Sequence, residues 1–148
     1  LENAYFLPDL GLAAALTRAV KRGVAVRVIV PGDSDVTAVH YASLWAHRTL
    51  VKHGIQILHW LGSMMHAKTA VIDGAWSTVG SYNLDNVSLL YNLEVVVEVV
   101  DPAFGAIMDE QFAADAARCQ VVSLDAWRRL PWWKKALSWA FAQLARWL

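Results

Sequence analysis

Residues 66–83 carry side chains whose types and spacing suit binding of, and reaction with, a phosphate group. They read HAKTAVIDGAWSTVGSYN, which has the pattern H-x-K-x4-D-x6-G-S-x-N. His66 can act as a nucleophile or as a general acid, because imidazole titrates near neutral pH. Lys68 is a compact cation suited to a phosphoryl oxygen. Together these residue types predict a phosphate site with a reactive histidine.

A predicted β-hairpin positions the first part of this pattern. A strand over Met65–Ile72 places His66 and Lys68 two residues apart, so that their side chains share one face and can approach one phosphate. The dipeptide Asp73-Gly74 is typical of a hairpin turn, after which the chain returns as a second strand. The same dipeptide leaves two roles open for the aspartate, because this residue is common in turns that have no chemical function.

Three polar residues follow the hairpin and complete the candidate site. Ser81 and Asn83 come after a glycine and can donate hydrogen bonds to an anion. Glu94 falls on a predicted strand over Tyr91–Val100. From there it can accept a hydrogen bond from the ring of His66 and fix its tautomer. The alternative for this carboxylate is an ordinary solvent-facing position on the strand.

The elements around the hairpin alternate in type along the chain. Proline, aspartate and glycine mark their ends, and β-branched runs such as VAVRVIV mark the strands. The further predicted strands are Ala4–Leu7, Val24–Val30 and Ile55–Trp60, and the predicted helices are Pro8–Arg22, Val36–Lys52, Pro102–Arg118 and one beginning near Ser123. This order predicts an α/β chain with a mixed β-sheet flanked by helices.

The complete pattern in residues 66–83 resembles the HKD motif of the phospholipase D superfamily. Within that superfamily the flanking segments are similar to the C-terminal half of the bacterial cardiolipin synthases. Those segments are AYFLPDLGLAAAL at 4–16, RGVAVRVIVPGDSD at 22–35, HAKTAVIDGAWSTVGSYNLD at 66–85, NLEVVVEVVDPAF at 92–104 and the WRRLPW sequence that begins the tail.

This resemblance implies a fold and a mechanism. Residues 1–122 would form one half of the two-lobed phospholipase D-like fold, in which two HKD motifs face each other. One histidine attacks the phosphorus and becomes a phosphohistidine, and the other protonates the leaving alcohol. His66 would be one of these histidines, as nucleophile or as acid, and Lys68 one of two lysines that hold the phosphate. The family needs neither a metal ion nor a cofactor.

The resemblance also implies roles for the remaining motif residues. Asp73 corresponds to the aspartate of the HKD motif and would give structural and electrostatic support. Ser81 and Asn83 correspond to the downstream residues on the phosphate side. Glu94 matches the acidic residue that orients the histidine.

The sequence departs from the family in having a single HKD motif. The other histidines, His40, His47, His53 and His59, have no lysine two positions later. We therefore expect the second motif to come from a missing N-terminal half or from another copy of the chain. The start at Leu1, in what looks like a strand in progress, indicates an excerpt of a longer chain, and both sources of the second motif stay open.

The C-terminal segment 123–148 differs from the rest in composition. Residues 127–148 hold five of the eight tryptophans and five cationic side chains without a carboxylate, whereas residues 1–126 have a net charge of −5. A helix from about Trp132 would gather an apolar stripe, opposite Lys135, Ser138 and Arg146, from Trp133, Leu137, Phe141, Leu144 and Leu148. Tryptophan beside lysine and arginine is typical of a membrane-interface helix. The alternative is a helix docked on its own domain.

The predicted activity is a phosphatidyltransferase of cardiolipin synthase type, associated with a bacterial cell membrane. By resemblance, one phosphatidylglycerol would donate its phosphatidyl group to a second one. The alternatives are a homodimeric phospholipase D-like nuclease, a phospholipid hydrolase and a non-catalytic membrane-binding module. A nucleic-acid partner is not expected, because residues 1–126 are acidic and nucleic-acid binding needs a basic face.

Overall fold

A mixed seven-stranded sheet forms the centre of the computed structural model, which describes residues 1–34, 36–62 and 64–145. In the sheet the strands lie in the order β6-β5-β4-β1-β2-β3-β7. The strands are β1 (Glu2–Asn3), β2 (Arg27–Pro31), β3 (Gln56–Trp60), β4 (Lys68–Ile72), β5 (Trp76–Gly80), β6 (Val96–Val100) and β7 (Cys119–Val121). Strands β1, β2 and β3 are parallel to one another, and the remaining pairs are antiparallel. The predicted fold class, α/β with a mixed sheet, is confirmed.

Four of the six helices in the described residues begin where a short polar side chain caps them. The six helices are α1 (Leu10–Lys21), α2 (Thr37–Lys52), α3 (Asn86–Leu90), α4 (Pro102–Ala116), α5 (Leu124–Arg129) and α6 (Trp132–Leu144). Of these, α2 and α6 begin without a side-chain cap. The side chains that accept a first-turn backbone N–H are those of Asp9, Asp85, Asp101 and Ser123. Each cap satisfies an N–H group that a helix leaves without an internal partner.

The core lies on both faces of the sheet, because neighbouring residues of a buried strand point to opposite sides. On one face Val28 and Val30 pack with Phe6 and Leu50 of the loop after β1 and of α2. On the other face Ile29 of the same strand joins a cluster with Leu58 and Phe112 of α4. The two clusters account for the continuous apolar run of β2.

Several predicted boundaries are wrong. The predicted strand Ala4–Leu7 is absent, since β1 ends at Asn3 and the backbone beyond it bonds to loop residues such as Leu84. The predicted strand Tyr91–Val100 begins only at Val96, because α3 and a following turn occupy the chain before it. The helix α3 and the strand β7 were not predicted, since five- and three-residue elements carry too little periodicity.

The loops that hold the candidate site lie along one edge of the sheet, where β1 and β5 end and β4 and β6 begin. The C-terminal end of β1 and the N-terminal end of the antiparallel β4 meet there, because Asn3 is paired with Lys68. The chain after β1 runs along the same edge and contributes Tyr5. The antiparallel pairs β4–β5 and β5–β6 bring the end of β5 and the start of β6 together beside them.

Candidate active site

His66 and Lys68 form a close pair at this edge. Nζ of Lys68 lies 3.1 Å from Nδ1 of His66 and donates a hydrogen bond of 3.0 Å to the backbone oxygen of the same residue. The structure therefore brings the two predicted side chains together. It does so although His66 lies two residues before β4, so that a loop and not a shared strand face places the imidazole. The imidazole is exposed, whereas the lysine is buried.

The buried position of Lys68 affects its charge. Burial lowers the pKa of its ammonium group below the ordinary value, and the carboxylates of Glu94 and Asp85 oppose that change. An ammonium group that has lost part of its hydration gains more from a bound anion than an exposed one does.

Glu94 lies in the loop before β6, so its predicted place on a strand is wrong. Its carboxylate accepts hydrogen bonds from Oγ of Ser81 and, at 3.2 Å, from Nδ2 of Asn92. The same Oγ accepts from the backbone N–H of Val95 at 3.0 Å. The hydrogen bond from Ser81, followed by that from Ser88, lowers the pKa of Glu94. The carboxylate is thus held in its charged form beside the site.

Glu94 has other hydrogen-bond partners than the His66 ring predicted for it. Nδ1 of His66 faces Lys68, while the carboxylate of Glu94 is engaged by Ser81 and Asn92. The hydrogen bond from His66 to Glu94 is therefore not formed in this structure, and the orienting role stays a prediction. The mutual charge effect of Glu94 and Lys68 shows that both residues belong to one electrostatic environment.

Asn83 is held in a tight loop and keeps a buried polar atom without a partner. Its backbone N–H donates to Oγ of Ser88 at 3.3 Å, and the N–H of Ser88 donates to Oδ1 of Asp85 at 2.7 Å. Among the described residues no group donates to Oδ1 of Asn83. An unsatisfied buried amide oxygen needs a donor to offset the cost of its desolvation.

Asn3 holds a loop of the site and was not predicted there, whereas for Tyr5 the core was expected, with the mouth of the site as the alternative. Asn3 is buried, and its amide donates to the carbonyl of Tyr82 at 3.3 Å and accepts from the N–H of Leu84 at 3.1 Å. It thus clamps the loop that carries Asn83 onto β1. The ring of Tyr5 meets the ring of His66 edge-on, at a centroid distance of 6.5 Å. No local pattern reveals these roles, because the partners are about 60 to 80 residues apart.

Asp73 lies at the opposite end of β4 from this cluster. It lies five positions after Lys68, which is about 16 Å along an extended strand. It adopts a positive φ of 52° in the turn between β4 and β5. The turn packs closely against α4, where a side chain at Gly105 would lie 2.1 Å from the oxygen of Gly74. The structure therefore gives Asp73 the position of a turn residue and does not bring it to His66.

Within residues 1–34, 36–62 and 64–145, no cluster of three or more histidine, cysteine, aspartate or glutamate side chains has the arrangement of a metal site. The ligand-binding capacity of the candidate site rests instead on the donors and acceptors already described.

Comparison with known proteins decides the family. A family model described as "Cardiolipin synthase, PLD-like domain" matches residues 1–116. The chain belongs to this cardiolipin synthase, PLD-like domain family. Cardiolipin synthase B of Escherichia coli K12 is 36% identical over 134 residues, which are 90% of this chain and 32% of that protein. Cardiolipin synthase A of Serratia proteamaculans is 33% identical over 139 residues, 91% of this chain and 28% of that protein.

The chain therefore spans about a third of the length of these relatives from the cardiolipin synthase family. Solved structures show the same fold. Nuc from Salmonella typhimurium, a phospholipase D family member, matches with a TM-score of 0.72 at 20% identity, over 82% of this chain and 78% of that one. Phosphatidylserine synthase of Haemophilus influenzae matches with a TM-score of 0.66 at 15% identity, over 97% of this chain and 38% of that one.

Proposed function

We propose that this chain contributes one HKD motif to a phosphatidyltransferase of cardiolipin synthase type. The observation that carries the proposal is the contact of 3.1 Å between Nζ of Lys68 and Nδ1 of the exposed His66. It joins a reactive imidazole to a partly dehydrated cation at a surface open to substrate. The enzyme class follows from the family, and phosphatidylglycerol as donor and acceptor is part of the proposal.

The proposed reaction has two steps. In the first, Nε2 of the attacking histidine bonds to phosphorus, the bond from phosphorus to the glycerol oxygen breaks, and a second histidine gives that oxygen its proton. In the second, the second histidine takes the proton of the incoming hydroxyl group. The oxygen of that group then bonds to phosphorus as the P–N bond breaks. His66 fills one of the two positions, and its assignment as nucleophile or acid stays open.

The polar residues around His66 support this chemistry by charge and hydrogen bonding. Lys68 would bind a non-bridging phosphoryl oxygen, since its ammonium group lies beside the imidazole. Asn83 would donate from its side-chain Nδ2 to the phosphate side of the substrate. Ser81 donates its hydroxyl proton to Glu94 in this structure and would bind the same phosphate once that hydroxyl turns from the carboxylate. Asp73 would support the hairpin that carries the lysine.

The mechanism needs a second HKD histidine, and this sequence contains a single HKD motif, that of His66. We infer that it comes from the N-terminal half of a longer protein or from a second copy of the chain. An exposed apolar segment beside the site supports this inference, because a second half would bury it. The segment comprises Leu89, Leu90, Tyr91, Leu93 and Val95.

Association with a bacterial membrane is part of the same proposal, since the substrates are membrane lipids. In the described part of the chain no helix is long and apolar enough to cross a bilayer.

The test is an assay of the chain together with a second HKD half. Lipid mixtures containing phosphatidylglycerol should yield cardiolipin and glycerol, and His66→Ala should yield neither. Formation of phosphatidic acid alone would indicate a hydrolase, and cleavage of DNA without lipid turnover would indicate a nuclease. Lipid binding without turnover would indicate a non-catalytic module. Each of these three outcomes would overturn the proposed transfer reaction.

A further inference from the structure

The helix α6 packs on its own domain. The ring of Phe141 stacks on Tyr41 of α2 at a centroid distance of 5.9 Å and an angle of 15°. Just before the N-terminus of α6, Trp127 of α5 meets Trp45 of α2 edge-on at 5.8 Å. The side chain of Asn86 donates to the backbone oxygen of Ala145 at 3.1 Å and ties the end of the helix to α3. The helix is therefore folded and oriented before any partner binds.

The way in which α6 packs is the reverse of an ordinary surface helix. Ser138 is fully buried against the domain, and its hydroxyl satisfies itself by donating to the oxygen of Lys134 at 2.8 Å. Apart from Phe141, the large apolar side chains of α6 are exposed, whereas a helix on a soluble domain normally turns them to the core. We call this surface the outer α6 face; it comprises Trp132, Trp133, Leu137, Trp139 and Leu144, exposed by 79, 44, 39, 53 and 56%.

This arrangement corrects the stripe predicted from the sequence. Phe141 leaves the predicted stripe to dock on α2, and Ser138, predicted on the polar side, is buried. Leu148 and Arg146 lie outside the described residues. The docked helix and the exposed tryptophans thus coexist, although the sequence analysis treated docking and membrane contact as alternatives.

Cations accompany the outer α6 face. Arg129 is exposed, Nζ of Lys134 lies 5.5 Å from the ring centre of Trp133, and Lys135 donates to the backbone oxygen of Arg128 at 2.8 Å. The single carboxylate in residues 123–145 is that of Asp125, which pairs with Arg128 at 2.8 Å. The surface therefore combines tryptophan with a net positive charge, which matches an anionic lipid surface and not an apolar protein core.

The outer α6 face also leads toward the candidate active site. The bond from Asn86 to Ala145 joins the end of α6 to α3, whose Ser88 holds the backbone of Asn83. The outer α6 face is thus connected through α3 to the loop that carries the phosphate-side residues.

We propose that the outer α6 face docks on the surface of a bilayer containing anionic phospholipid and holds the site edge of the domain near the lipid headgroups. The tryptophan rings would lie at headgroup depth, and the cations would contact lipid phosphates. The choice of a lipid as occupant rests on the proposed function. The surface itself is defined by exposure and charge.

The test measures vesicle binding by the protein in its natural length. Vesicles of phosphatidylglycerol mixed with phosphatidylcholine should bind wild-type protein, and Trp132→Ser/Trp139→Ser should lower the partition coefficient by about tenfold or more. The matched control is Ile107→Ser on α4, which removes an apolar side chain exposed by 63% and should bind as wild type. Circular dichroism should show all three proteins equally folded, since the altered side chains are exposed.

A second comparison tests the charges. Arg129→Gln should lower binding to anionic vesicles by about fivefold at low salt and leave binding to pure phosphatidylcholine unchanged. Equal vesicle binding by the double tryptophan variant and wild type would overturn the proposed surface. So would loss of binding in the Ile107→Ser control.

Activity on monomeric short-chain phosphatidylglycerol separates this proposal from the proposed function. The double tryptophan variant should retain wild-type turnover of that soluble substrate when the second HKD half is present. If wild type carries out transfer but the double tryptophan variant binds vesicles as well as wild type does, the docking surface alone would be overturned. Vesicle binding through the outer α6 face with no transfer by wild type would overturn the transferase alone.

Discussion

The HKD motif extends past both ends of β4, and its residues at the two ends lie in different environments. At its start, Lys68 is buried and touches His66, and Glu94 and Asp85 act on its charge. At its end, Asp73 is exposed in a tight turn with a positive φ. A motif that is continuous in sequence is therefore split in space. Spacing in the sequence alone therefore does not distinguish a residue that takes part in the chemistry from one that shapes the backbone.

The largest effect should come from the reactive end. We expect His66→Ala, assayed with the second HKD half, to lower the transfer rate by about a thousandfold or more, because no other described side chain supplies an imidazole there. His66→Asn keeps size and polarity but cannot carry the proton, and should fail equally. The measurement is the initial rate of cardiolipin formation. Turnover near the wild-type level in either variant would remove His66 from the mechanism.

Lys68→Arg should lower the transfer rate by about a hundredfold, although it conserves charge. A planar guanidinium is larger and spreads its donors, so it does not reproduce a compact ammonium group in a buried position. The backbone contact from Nζ to the oxygen of His66 would also be disturbed. Thermal unfolding provides the control for folding. Most of the activity surviving in a folded variant would argue against direct phosphate contact.

The stability of the fold, as distinct from the chemistry of the site, should depend on pH through the buried His47. Burial, with His59 contributing next, lowers the pKa of His47 to about 3. Because the folded value lies below the unfolded value of about 6.5, the unfolded chain binds the extra proton. Stability should be full above pH 6.5 and fall as the pH decreases, by about 2 kcal/mol at pH 5.

The measurement is denaturant unfolding between pH 7.5 and 5. His47→Gln, which cannot titrate, should lose most of this dependence. His59, whose pKa burial also lowers, should preserve a smaller slope in the same direction. A wild-type free energy of unfolding that does not change over this range would contradict the buried neutral state of His47.

The smallest effects should come from the turn end of β4. Asp73→Asn keeps a residue that tolerates positive φ, so activity should stay within about threefold of wild type. Asp73→Val places a β-branched residue at φ 52° and should cost about 1–2 kcal/mol of stability. The transfer rate of Asp73→Asn, measured at a temperature where it is folded, checks the first expectation. Denaturant unfolding of Asp73→Val checks the second. A loss in Asp73→Asn as large as that in Lys68→Arg would return Asp73 to a chemical role.

The fold class was readable from the sequence because its signals are local. The β-branched run of β2 and the caps at Asp9, Asp101 and Ser123 act on residues close in sequence. Short elements were missed for the converse reason. In the segment before β6, Glu94 was predicted on a strand, whereas its position follows from bonds to Ser81 and Asn92 in a loop.

The sequence by itself determined the residue types of the site, the α/β class and the composition of the C-terminal segment, because these depend on identity and local periodicity. Only the tertiary structure decided which partners meet. Asn3 holds the loop at Leu84 from 81 residues away, and Glu94 turns to Ser81 instead of His66. It also decided that α6 buries Ser138 and exposes Trp132. A helical pattern defines faces around an axis, but the neighbour that covers one of them is set by packing against α2.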